Sequence, residues 1–569
     1  MNVVHAGLVP EQTRPQPVGT TDGVEAGLSE TGHMQHPPGK VVVHAGSSPL
    51  VPHRSTLIDG LLCAAAYPHP VGRIELVETH ISWVILTGEL VYKIKKPVDL
   101  GFLDFRDLER RHFFCQEEIR LNRFWAPGIY LDVVPIVMRA CRPEVGAAGR
   151  PVEYAVRMRQ FDQSMRLDHQ LETGRLTVDD MLELAGEIAG RHQKARMVPP
   201  NGRLLLATRK LIWDNFDDLT GEVSNNVLTA LHRWTRETLG LEEARLRDRC
   251  EKGFYRECHG DLHLGNIVRL PAGIKAFDCI EFSAELRNID VVADYAFLVM
   301  DLCARGRTDL AYVFLNRYLE ISGDYDGVSL LPLYVVYRSL VRAKVAAIRR
   351  RERDPGESSE DDRRTIEHYC ELARTFTARR PSTLILMTGL SGSGKTWIST
   401  RLLAALPAVR LRSDLERKRL FGLGETADSH SGIASGIYSR DAGDMVYQRM
   451  LDGAAAMLQA GFDVILDAAF LEGEHRERAR QVAAGCGARF AIVMVVASEP
   501  VLRRRLRQRT AAGVDASEAD RDVLEHQLGK AEALTSVELG STVTVNTDTE
   551  VDVASVVAGI REIAAVPPA

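Results

Sequence analysis

Short runs of alternating apolar and polar residues between positions 74 and 158 predict an antiparallel sheet. The five runs are Ile74–Val77, Ile81–Leu86, Leu90–Lys95, Val133–Val137 and Glu153–Met158. The Thr87-Gly88-Glu89 segment, which separates the second run from the third, is typical of a hairpin turn. A helical pattern from about Arg106 to Phe124 follows the third run, so we expect one helix inserted into a sheet of about five strands.

Helical periodicity replaces this alternation from Thr177 onward. The first apolar helix face consists of Met181, Leu182, Leu184, Ala185, Ile188 and Ala189. Further helices are predicted near Ile289–Cys303, Asp309–Ile321 and Leu330–Arg350. A polar, strand-like region from Cys258 to Phe282 interrupts these helices, so we expect a helical lobe with one embedded region of short strands.

In the last third of the chain, strand candidates alternate with helical segments. The strand candidates are Leu384–Met387, Val409–Leu411, Val464–Leu466 and Ala491–Val496. Strands separated by helices are typical of a parallel sheet that is covered on both faces. The fold class predicted for the chain is therefore an α+β domain followed by an α/β domain.

The chain divides into three predicted segments. Residues 1–55 are rich in Gly, Pro, Thr and Ser and lack periodic large apolar residues, which predicts a flexible tail. The first folded domain is predicted at 56–365 and the second at 380–569. The short Arg379-Arg380-Pro381-Ser382 linker marks the boundary between them.

The composition mainly indicates which classes of function are unfavourable for this chain. At 569 residues the chain exceeds what one hydrophobic core usually serves. Its 71 basic and 77 acidic residues give a net charge of -6, which offers no general attraction to nucleic acid or to acidic membranes. The nine cysteines form no C-x-x-C pair, and there is no long apolar run or signal-peptide pattern. We therefore expect a cytoplasmic protein with reduced thiols.

A glycine-rich loop follows the first strand candidate of the second domain and precedes a helical segment. Its residues are Gly389, Leu390, Ser391, Gly392, Ser393, Gly394, Lys395 and Thr396. This spacing is that of a phosphate-binding loop (Walker A), in which backbone N–H groups surround the phosphates of a nucleotide. Lys395 is expected to reach the outer phosphates of ATP, and the Thr396 hydroxyl is expected to hold Mg²⁺.

Five further positions in the second domain suit phosphoryl transfer. Asp414 can activate an acceptor hydroxyl, and Arg417, three residues later, can bind an anionic group of the acceptor. Asp467 closes a strand candidate and can orient Mg²⁺. Arg505 and Arg509 share one helix face and can close over the phosphates, although such arginines also occur on solvated helix faces.

A second constellation lies in the strand-like region of the helical lobe. The string His259-Gly260-Asp261-Leu262-His263-Leu264-Gly265-Asn266 fits H-x-D-x-x-x-x-N, and Asp278 follows it. Phosphoryl transfer from ATP needs a carboxylate for the acceptor hydroxyl and oxygen ligands for Mg²⁺. Asp261 suits the first role, and Asn266 and Asp278 suit the second. A lysine from the third strand and an acid from the following helix can supply the pair that holds the α- and β-phosphates.

The H-G-D-L-H-L-G-N-I string is similar to the signature of the aminoglycoside phosphotransferase and choline kinase family, relatives of protein kinases, and the resemblance covers about Leu57 to Arg351. It implies a small sheet-rich lobe, a larger helical lobe and ATP in the cleft between them. By motif position, Asp261 is the catalytic base, and Asn266 and Asp278 are metal ligands.

The lysine and acid of the phosphate-holding pair each have two candidates. Lys93 is the preferred phosphate-contacting lysine, with Lys95 as the alternative on the same strand face. Glu117 is the preferred partner on the following helix because Leu121 follows it at apolar spacing, with Glu118 as the alternative.

The sequence lacks a G-x-G-x-x-G between the first two strands, where Glu78-Thr79-His80 stands instead. This departure favours a small-molecule kinase over a protein kinase. The second domain, from about Ser382 to Ile563, resembles phosphate-loop kinases of small hydroxyl acceptors, including gluconate kinase, zeta toxin and polynucleotide kinase relatives. No Walker-B acid pair or arginine-finger motif is evident, which favours a kinase over a mechanical ATPase.

The order of the two domains resembles bacterial proteins that fuse an aminoglycoside phosphotransferase-like domain to an AAA-type ATP-binding domain. We expect a bifunctional transferase that uses ATP and Mg²⁺ to phosphorylate hydroxyls of small molecules, and ATP hydrolysis is compatible with this class. One alternative is an ATP-sensing regulator with one non-catalytic domain. Another is a toxin-like kinase acting on a nucleotide sugar or a nucleic-acid end.

Overall fold

The computed structural model describes residues 56–565, apart from positions 100, 102, 353–359, 379, 426, 428, 430, 432–435 and 513–520. The flexible tail predicted at residues 1–55 lies outside the described residues. None of the helices in the described part of the chain is long and apolar enough to span a membrane.

The first domain begins with a six-stranded antiparallel sheet of strand order β1-β2-β3-β6-β4-β5. Its strands are β1 (Glu75–Glu78), β2 (Ser82–Leu86), β3 (Leu90–Lys95), β4 (Tyr130–Arg139), β5 (Arg142–Val145) and β6 (Glu153–Arg159). The five predicted strands are present, and the predicted hairpin joins β2 to β3. The additional strand β5 pairs with β4 through a tight turn at Ala140 and Cys141, both with positive φ.

Helices cover both faces of this sheet. Helix α1 (Thr56–Leu61) packs on one face, where Ile58 and Leu61 join a cluster with Ile85 and Ile136. Helix α2 (Leu108–Trp125) packs on the other face against β4 and β6. The Asp107 carboxylate caps α2 by accepting a hydrogen bond from the Glu109 N–H, as helix N-termini favour.

The rest of the first domain is helical, as predicted. Its helices are α3 (Leu167–Glu172), α4 (Val178–Lys194), α5 (Gly202–Asp218), α6 (Asn225–Leu241), α7 (Glu243–Glu251), α8 (Ala284–Arg287), α9 (Val291–Ala304), α10 (Thr308–Ser322), α11 (Leu331–Glu352) and α12 (Glu360–Thr377). A capping box between Thr177 and Asp180 starts α4, where helical periodicity was predicted to begin. Residue 365, the predicted end of the domain, lies within α12, whose buried Ile366, Cys370 and Ala373 belong to the helical core.

Two small strand pairs hold the predicted polar region inside the helical lobe. Strand β7 (Tyr255–Glu257) pairs with β10 (Asn288–Asp290), and β8 (Ile267–Leu270) pairs with β9 (Gly273–Ala276). The segment 258–266 therefore lies between β7 and β8, and the segment 277–287 lies between β9 and β10. Short turns of 3-10 helix lie at Ala64–Ala66, Gln163–Met165, Leu264–Asn266, Asp326–Leu330 and Gly436–Tyr438.

The second domain contains a five-stranded parallel sheet of order β12-β13-β11-β14-β15. The strands are β11 (Thr383–Thr388), β12 (Ala408–Arg412), β13 (Asp463–Asp467), β14 (Arg489–Val496) and β15 (Thr542–Asn546). The helices are α13 (Lys395–Ala405), α14 (Ser413–Leu420), α15 (Arg440–Gln459), α16 (Gly473–Gly485), α17 (Glu499–Ala512), α18 (Arg521–Lys530), α19 (Ser536–Leu539) and α20 (Val553–Ala565). The predicted α+β then α/β fold is confirmed.

The two domains share one continuous hydrophobic core. The cluster that fills the helical lobe extends without a break to Leu384 and Leu386 of β11 and Val409 and Leu411 of β12. Helix α10 lies along the edge strand β12 and also packs against α4 and α9. This helix of the first domain therefore also packs directly against the second domain.

Candidate active sites

The segment between β7 and β8 brings Asp261 and Asn266 together, as their motif spacing predicts. The Asn266 side-chain amide donates to the Asp261 carboxylate at 2.9 Å and to the Asp261 carbonyl at 3.1 Å. His263 Nε2 lies 3.4 Å from the same carboxylate. The Asp261 side chain is 37% exposed, so it remains accessible to a substrate.

The Asp261 carboxylate is held in its ionised form. Burial alone would raise its pKa, but the neighbouring His263 and Arg342 outweigh this effect and hold the pKa well below its usual range. Because the charged form persists at neutral pH, Asp261 can accept a hydrogen bond from an acceptor hydroxyl.

The backbone around Asp261 is fixed from below by α9. The Asp294 carboxylate accepts the N–H groups of His259 at 3.0 Å and Gly260 at 2.8 Å, and His192 Nε2 lies 3.0 Å from it. Gly260 has a φ of +85°, and a Cβ there would come within 2.9 Å of the Leu286 carbonyl. Asp294 lies outside every motif in the sequence, so only the structure reveals this anchoring role.

His259 supports this segment without reaching the cleft. Its ring is fully buried, and Nε2 lies 2.9 Å from the Phe277 carbonyl. Burial lowers the pKa of this imidazole, which favours its neutral form. The ring therefore links the segments that carry Asp261 and Asp278.

Lys93 and Lys95 lie on the same face of β3 and meet one carboxylate of α2. Lys93 Nζ lies 2.8 Å from Glu118 Oε1, and Lys95 Nζ lies 2.8 Å from Glu118 Oε2. The predicted preference for Glu117 as the partner of Lys93 is wrong. Glu117 points away from the lysines and pairs with Arg120 at 2.8 Å.

Glu118 and the two lysines stabilise one another's charged forms. Burial would raise the pKa of Glu118, but the two lysines outweigh burial and place the pKa well below its usual range. Lys95 also contacts Glu281, an acid that the sequence analysis did not single out. Its position three residues after Asp278 in a largely apolar segment was the available signal.

Asp278 pairs with Lys93 and remains partly exposed. Its carboxylate is 2.5 Å from Lys93 Nζ, its side chain is 43% exposed, and its N–H donates to the Tyr130 hydroxyl at 3.0 Å. The Phe277 N–H donates to the Asn266 carbonyl at 2.8 Å, so the segments of Asn266 and Asp278 lie side by side. Their side chains offer oxygen donors of the kind that Mg²⁺ prefers.

The glycine-rich loop joins β11 to α13 in the geometry that its sequence requires. Gly389, Gly392 and Gly394 have φ values of +142°, +82° and +97°, and a Cβ on Gly389 would lie 2.3 Å from the Val495 carbonyl. Lys395 and Thr396 form the first turn of α13, so backbone N–H groups of the loop and helix face the same space.

Lys395 is the electrostatic centre of this second site. Its Nζ donates to the carbonyls of Gly389 at 2.8 Å and Leu390 at 3.0 Å. Burial, with a smaller effect of Arg509, lowers its pKa to about 8, although Asp467 and Asp414 act in the opposite direction. The predicted site residues Asp414, Asp467 and Arg509 are therefore close enough to Lys395 to affect its charge.

The acidic residues of this site lie at the carboxyl ends of two neighbouring strands, β12 and β13. Asp467 closes β13, is buried, and accepts a hydrogen bond from the Ser399 hydroxyl at 2.8 Å. Asp414 is half-buried in the first turn of α14, directly after β12. Arg417, on the same helix, donates to the Ile437 carbonyl at 2.8 Å and stacks on Tyr438.

Arg505 supports the glycine-rich loop from one side. Its guanidinium donates to the carbonyls of Gly392 and Ser393 at 3.2 and 3.3 Å, and to the Thr547 hydroxyl at 2.9 Å. It therefore connects the loop to the end of β15, whereas Arg509, one turn later, acts on the charge of Lys395 and lowers its pKa.

A cavity of about 680 Å³ opens beside the loop. Its lining residues are Gly394, Trp397, Arg401, Arg505, Thr547, Thr549, Glu550 and Val551. The Arg401 guanidinium lies 3.5 Å from the centre of the Trp397 ring, which leaves an aromatic and a cationic surface next to the loop. No motif in the sequence points to Trp397 or Arg401.

Helix α18 contacts the loop from the opposite side. Gln527 Oε1 accepts the Ser391 N–H at 2.8 Å, and Leu524 packs with Leu502, Leu506 and Leu390. An amide oxygen of α18 therefore already occupies one backbone donor of the predicted phosphate-binding loop.

Known proteins are similar to this chain in sequence and in fold. An AAA domain family matches residues 384–534. The uncharacterized protein Rv2004c of Mycobacterium tuberculosis is 30% identical over 461 residues, which cover 79% of this chain and 89% of that protein.

Two solved structures are each similar to part of the chain. A gluconokinase from Sinorhizobium meliloti covers 33% of this chain and is itself covered to 96%, with 22% identity and a TM-score of 0.24. A choline kinase from Cryptosporidium parvum covers 56% of this chain and is itself covered to 96%, with 12% identity and a TM-score of 0.36.

Proposed function

The chain belongs to the family of the mycobacterial protein Rv2004c, and we propose that it is a bifunctional ATP-dependent phosphotransferase acting on hydroxyls of small molecules. One observation carries the proposal. Each domain gathers a lysine, an acid suited to activate a hydroxyl and oxygen donors suited to Mg²⁺ around one site. In the first domain these are Lys93, Asp261, Asn266 and Asp278; in the second they are Lys395, Asp414, Asp467 and Thr396.

In the first domain, Asp261 orients the acceptor hydroxyl and takes its proton as the new oxygen–phosphorus bond forms. The bond between the γ-phosphorus and its bridging oxygen breaks, and ADP leaves with that oxygen. Lys93 holds the phosphates while Glu118 keeps its ammonium in place. Asn266 and Asp278 would hold Mg²⁺, which when bound neutralises charge on the phosphates.

In the second domain, the loop N–H groups and Lys395 bind the phosphates of ATP, and the adjacent cavity accommodates its nucleoside. The Trp397 ring and the Arg505 guanidinium offer surfaces for the base and sugar. Asp414 orients the acceptor hydroxyl, and Arg417 binds an anionic group of the acceptor. Asp467 and Thr396 would hold Mg²⁺ or its bound water.

A second candidate function is ATP sensing, in which one domain binds ATP without turnover and controls the other. The observation that favours it is the continuous core between the domains, which places α10 against both. A conformational change at one site would then reach the other through packed elements.

The proposal is tested with a metabolite extract and ATP labelled on its γ-phosphate, followed by mass identification of labelled products. Asp261→Ala is expected to remove the products of the first domain, and Lys395→Ala those of the second. The double variant is expected to remove both. Labelled products that persist unchanged in all three variants would contradict the proposal. Calorimetric binding of ATP at two sites with no labelled product would favour the sensor.

A further inference from the structure

A buried chain of hydrogen bonds runs from the helical lobe to the second ATP site. It begins on α10, where Glu320 Oε1 accepts from the Arg410 guanidinium of β12 at 2.6 Å. The other Nη of Arg410 donates to the hydroxyls of Ser399 at 2.9 Å and Thr400 at 2.7 Å, both on α13. The chain therefore reaches the helix that follows the glycine-rich loop.

Ser399 passes the chain on to Asp467. Its hydroxyl lies 2.8 Å from Asp467 Oδ2 and, less closely, 3.1 Å from the Thr396 carbonyl. Because Ser399 accepts from Arg410, its single proton is free to be donated to Asp467. Glu320, Arg410, Ser399 and Asp467 are each at most 6% exposed, so solvent cannot replace a lost partner.

Glu320 is the acid that balances Arg410 in this buried setting. Burial would raise the pKa of Glu320, but Arg410, together with Arg412 and Arg317, outweighs burial and lowers the pKa, which keeps the carboxylate ionised. Without that carboxylate, the Arg410 guanidinium would be a buried cation whose nearest remaining acid along the chain is Asp467. A guanidinium drawn toward Asp467 would compete with a metal ion for the same oxygens.

The position of Glu320 relative to Arg410 is fixed by the backbone of the edge strand. One turn earlier on α10, the Asn316 amide donates to the Ala408 carbonyl at 2.9 Å and accepts the Arg410 N–H at 2.7 Å. Asn316 therefore hydrogen-bonds to backbone groups on the open edge of β12, which would otherwise be available to a further strand. The helix and the strand are held in one register.

We infer that Glu320 is a positioning residue of the second ATP site, acting through Arg410 and Ser399 on Asp467. The first domain therefore completes the metal-binding end of the glycine-rich loop in the second. This inference rests on the proposed role of the second domain as an ATP and Mg²⁺ site.

The test is calorimetric ATP titration of the full-length chain over a series of Mg²⁺ concentrations. The binding event that Lys395→Ala removes identifies the second site. In Glu320→Gln, the Mg²⁺ concentration for half-maximal tight binding at that site is expected to rise about tenfold or more, as for other residues that support metal ligands. ATP affinity without Mg²⁺ is expected to stay unchanged, which loss of structure would not produce.

Glu425→Gln is the matched control. Glu425 pairs with Arg317 of α10 at 3.0 Å across the same domain boundary. Arg317 also lies 3.5 Å from Glu320, but Glu425→Gln leaves the hydrogen bond between Glu320 and Arg410 in place. The Mg²⁺ requirement of Glu425→Gln is expected to equal that of the unaltered protein.

Ser399→Ala provides a second variant that cuts the same chain at another point. It is expected to raise the Mg²⁺ requirement, and the double variant Glu320→Gln/Ser399→Ala is expected to cost less than the sum of the two single changes. An unchanged Mg²⁺ requirement in both single variants would overturn the inference. If the unaltered chain shows no Mg²⁺-dependent event that Lys395→Ala removes, the proposed second site itself falls, and the inference with it.

Discussion

At the scale of single residues, Lys395 has a charge that depends on pH near neutrality. Burial among the loop carbonyls lowers its pKa to about 8. Bound phosphates favour the ammonium form, so the pKa of Lys395 is higher in the ATP complex than in the free protein. ATP binding at the proposed second site is therefore expected to take up a proton when the pH lies above the pKa that Lys395 has in the nucleotide-free protein.

This linkage predicts that ATP affinity at the second site falls as pH rises above about 8, by up to about tenfold per pH unit. Calorimetry at pH 9 in buffers of different ionisation enthalpy is expected to show proton uptake on binding. In Lys395→Arg, whose guanidinium stays protonated, the uptake is expected to disappear. Equal uptake in both proteins would assign the proton to another group.

The pairing of Lys93 with Glu118 shows what residue patterns in a sequence miss. Neighbouring helix positions differ by about 100° around the axis, so Glu117 and Glu118 face different surroundings. The buried face of α2 includes Arg111, Glu118 and Asn122. Because these polar residues occupy core positions, the apolar pattern alone does not identify the face on which the partner of Lys93 lies.

At the scale of elements, periodicity predicted most strands and helices because their apolar residues repeat at the spacing of one buried face. Helix α9 was expected near Ile289–Cys303 and runs over Val291–Ala304. Strand β5 escaped prediction because Arg142–Val145 contains an arginine, a proline and a glutamate. Strand β15 also escaped prediction. It alternates Thr with Val at a sheet edge and lacks the continuous apolar run of a central strand.

Helix α18 carries an element-scale prediction, since its Gln527 holds the Ser391 N–H that a phosphate oxygen would accept. Removing this competing hydrogen bond in Gln527→Ala is expected to tighten ATP binding at the second site by about twofold to tenfold. Fluorescence or calorimetric titration would measure the change. Gln481→Ala, on the exposed face of α16, is the matched control and is expected to leave the affinity unchanged. Weaker binding in Gln527→Ala would mean that Gln527 contacts the nucleotide instead of competing with it.

At the scale of the whole molecule, α10 carries contacts to both sites. The Tyr318 hydroxyl lies 2.8 Å from His192 Nδ1, and His192 in turn meets Asp294, which holds the backbone before Asp261. Two residues after Tyr318, Glu320 begins the chain that leads to Asp467. The same helix is therefore connected to the segment that carries Asp261 in one domain and to Asp467 in the other.

This arrangement predicts that nucleotide binding at the two sites is coupled, and that the coupling is reciprocal. Filling the first site is expected to change ATP affinity at the second by about fivefold or more, and filling the second is expected to change the first by the same factor. Calorimetric titration of the unaltered chain measures the ATP affinity of both sites, and titration of Lys395→Ala isolates that of the first site. Tyr318→Phe is expected to reduce the coupling because it removes the hydrogen bond to His192, while each site still binds ATP.

Tyr312→Phe, on the same helix, is the matched control, since no described hydrogen bond involves that hydroxyl. It is expected to keep the full coupling. If both variants reduce the coupling equally, the effect comes from general packing of α10 and not from its contact with His192. If the unaltered chain binds ATP at two sites with independent affinities, α10 serves only to join the domains, because a ligand can shift a partner site only through contacts that differ between two states of the protein.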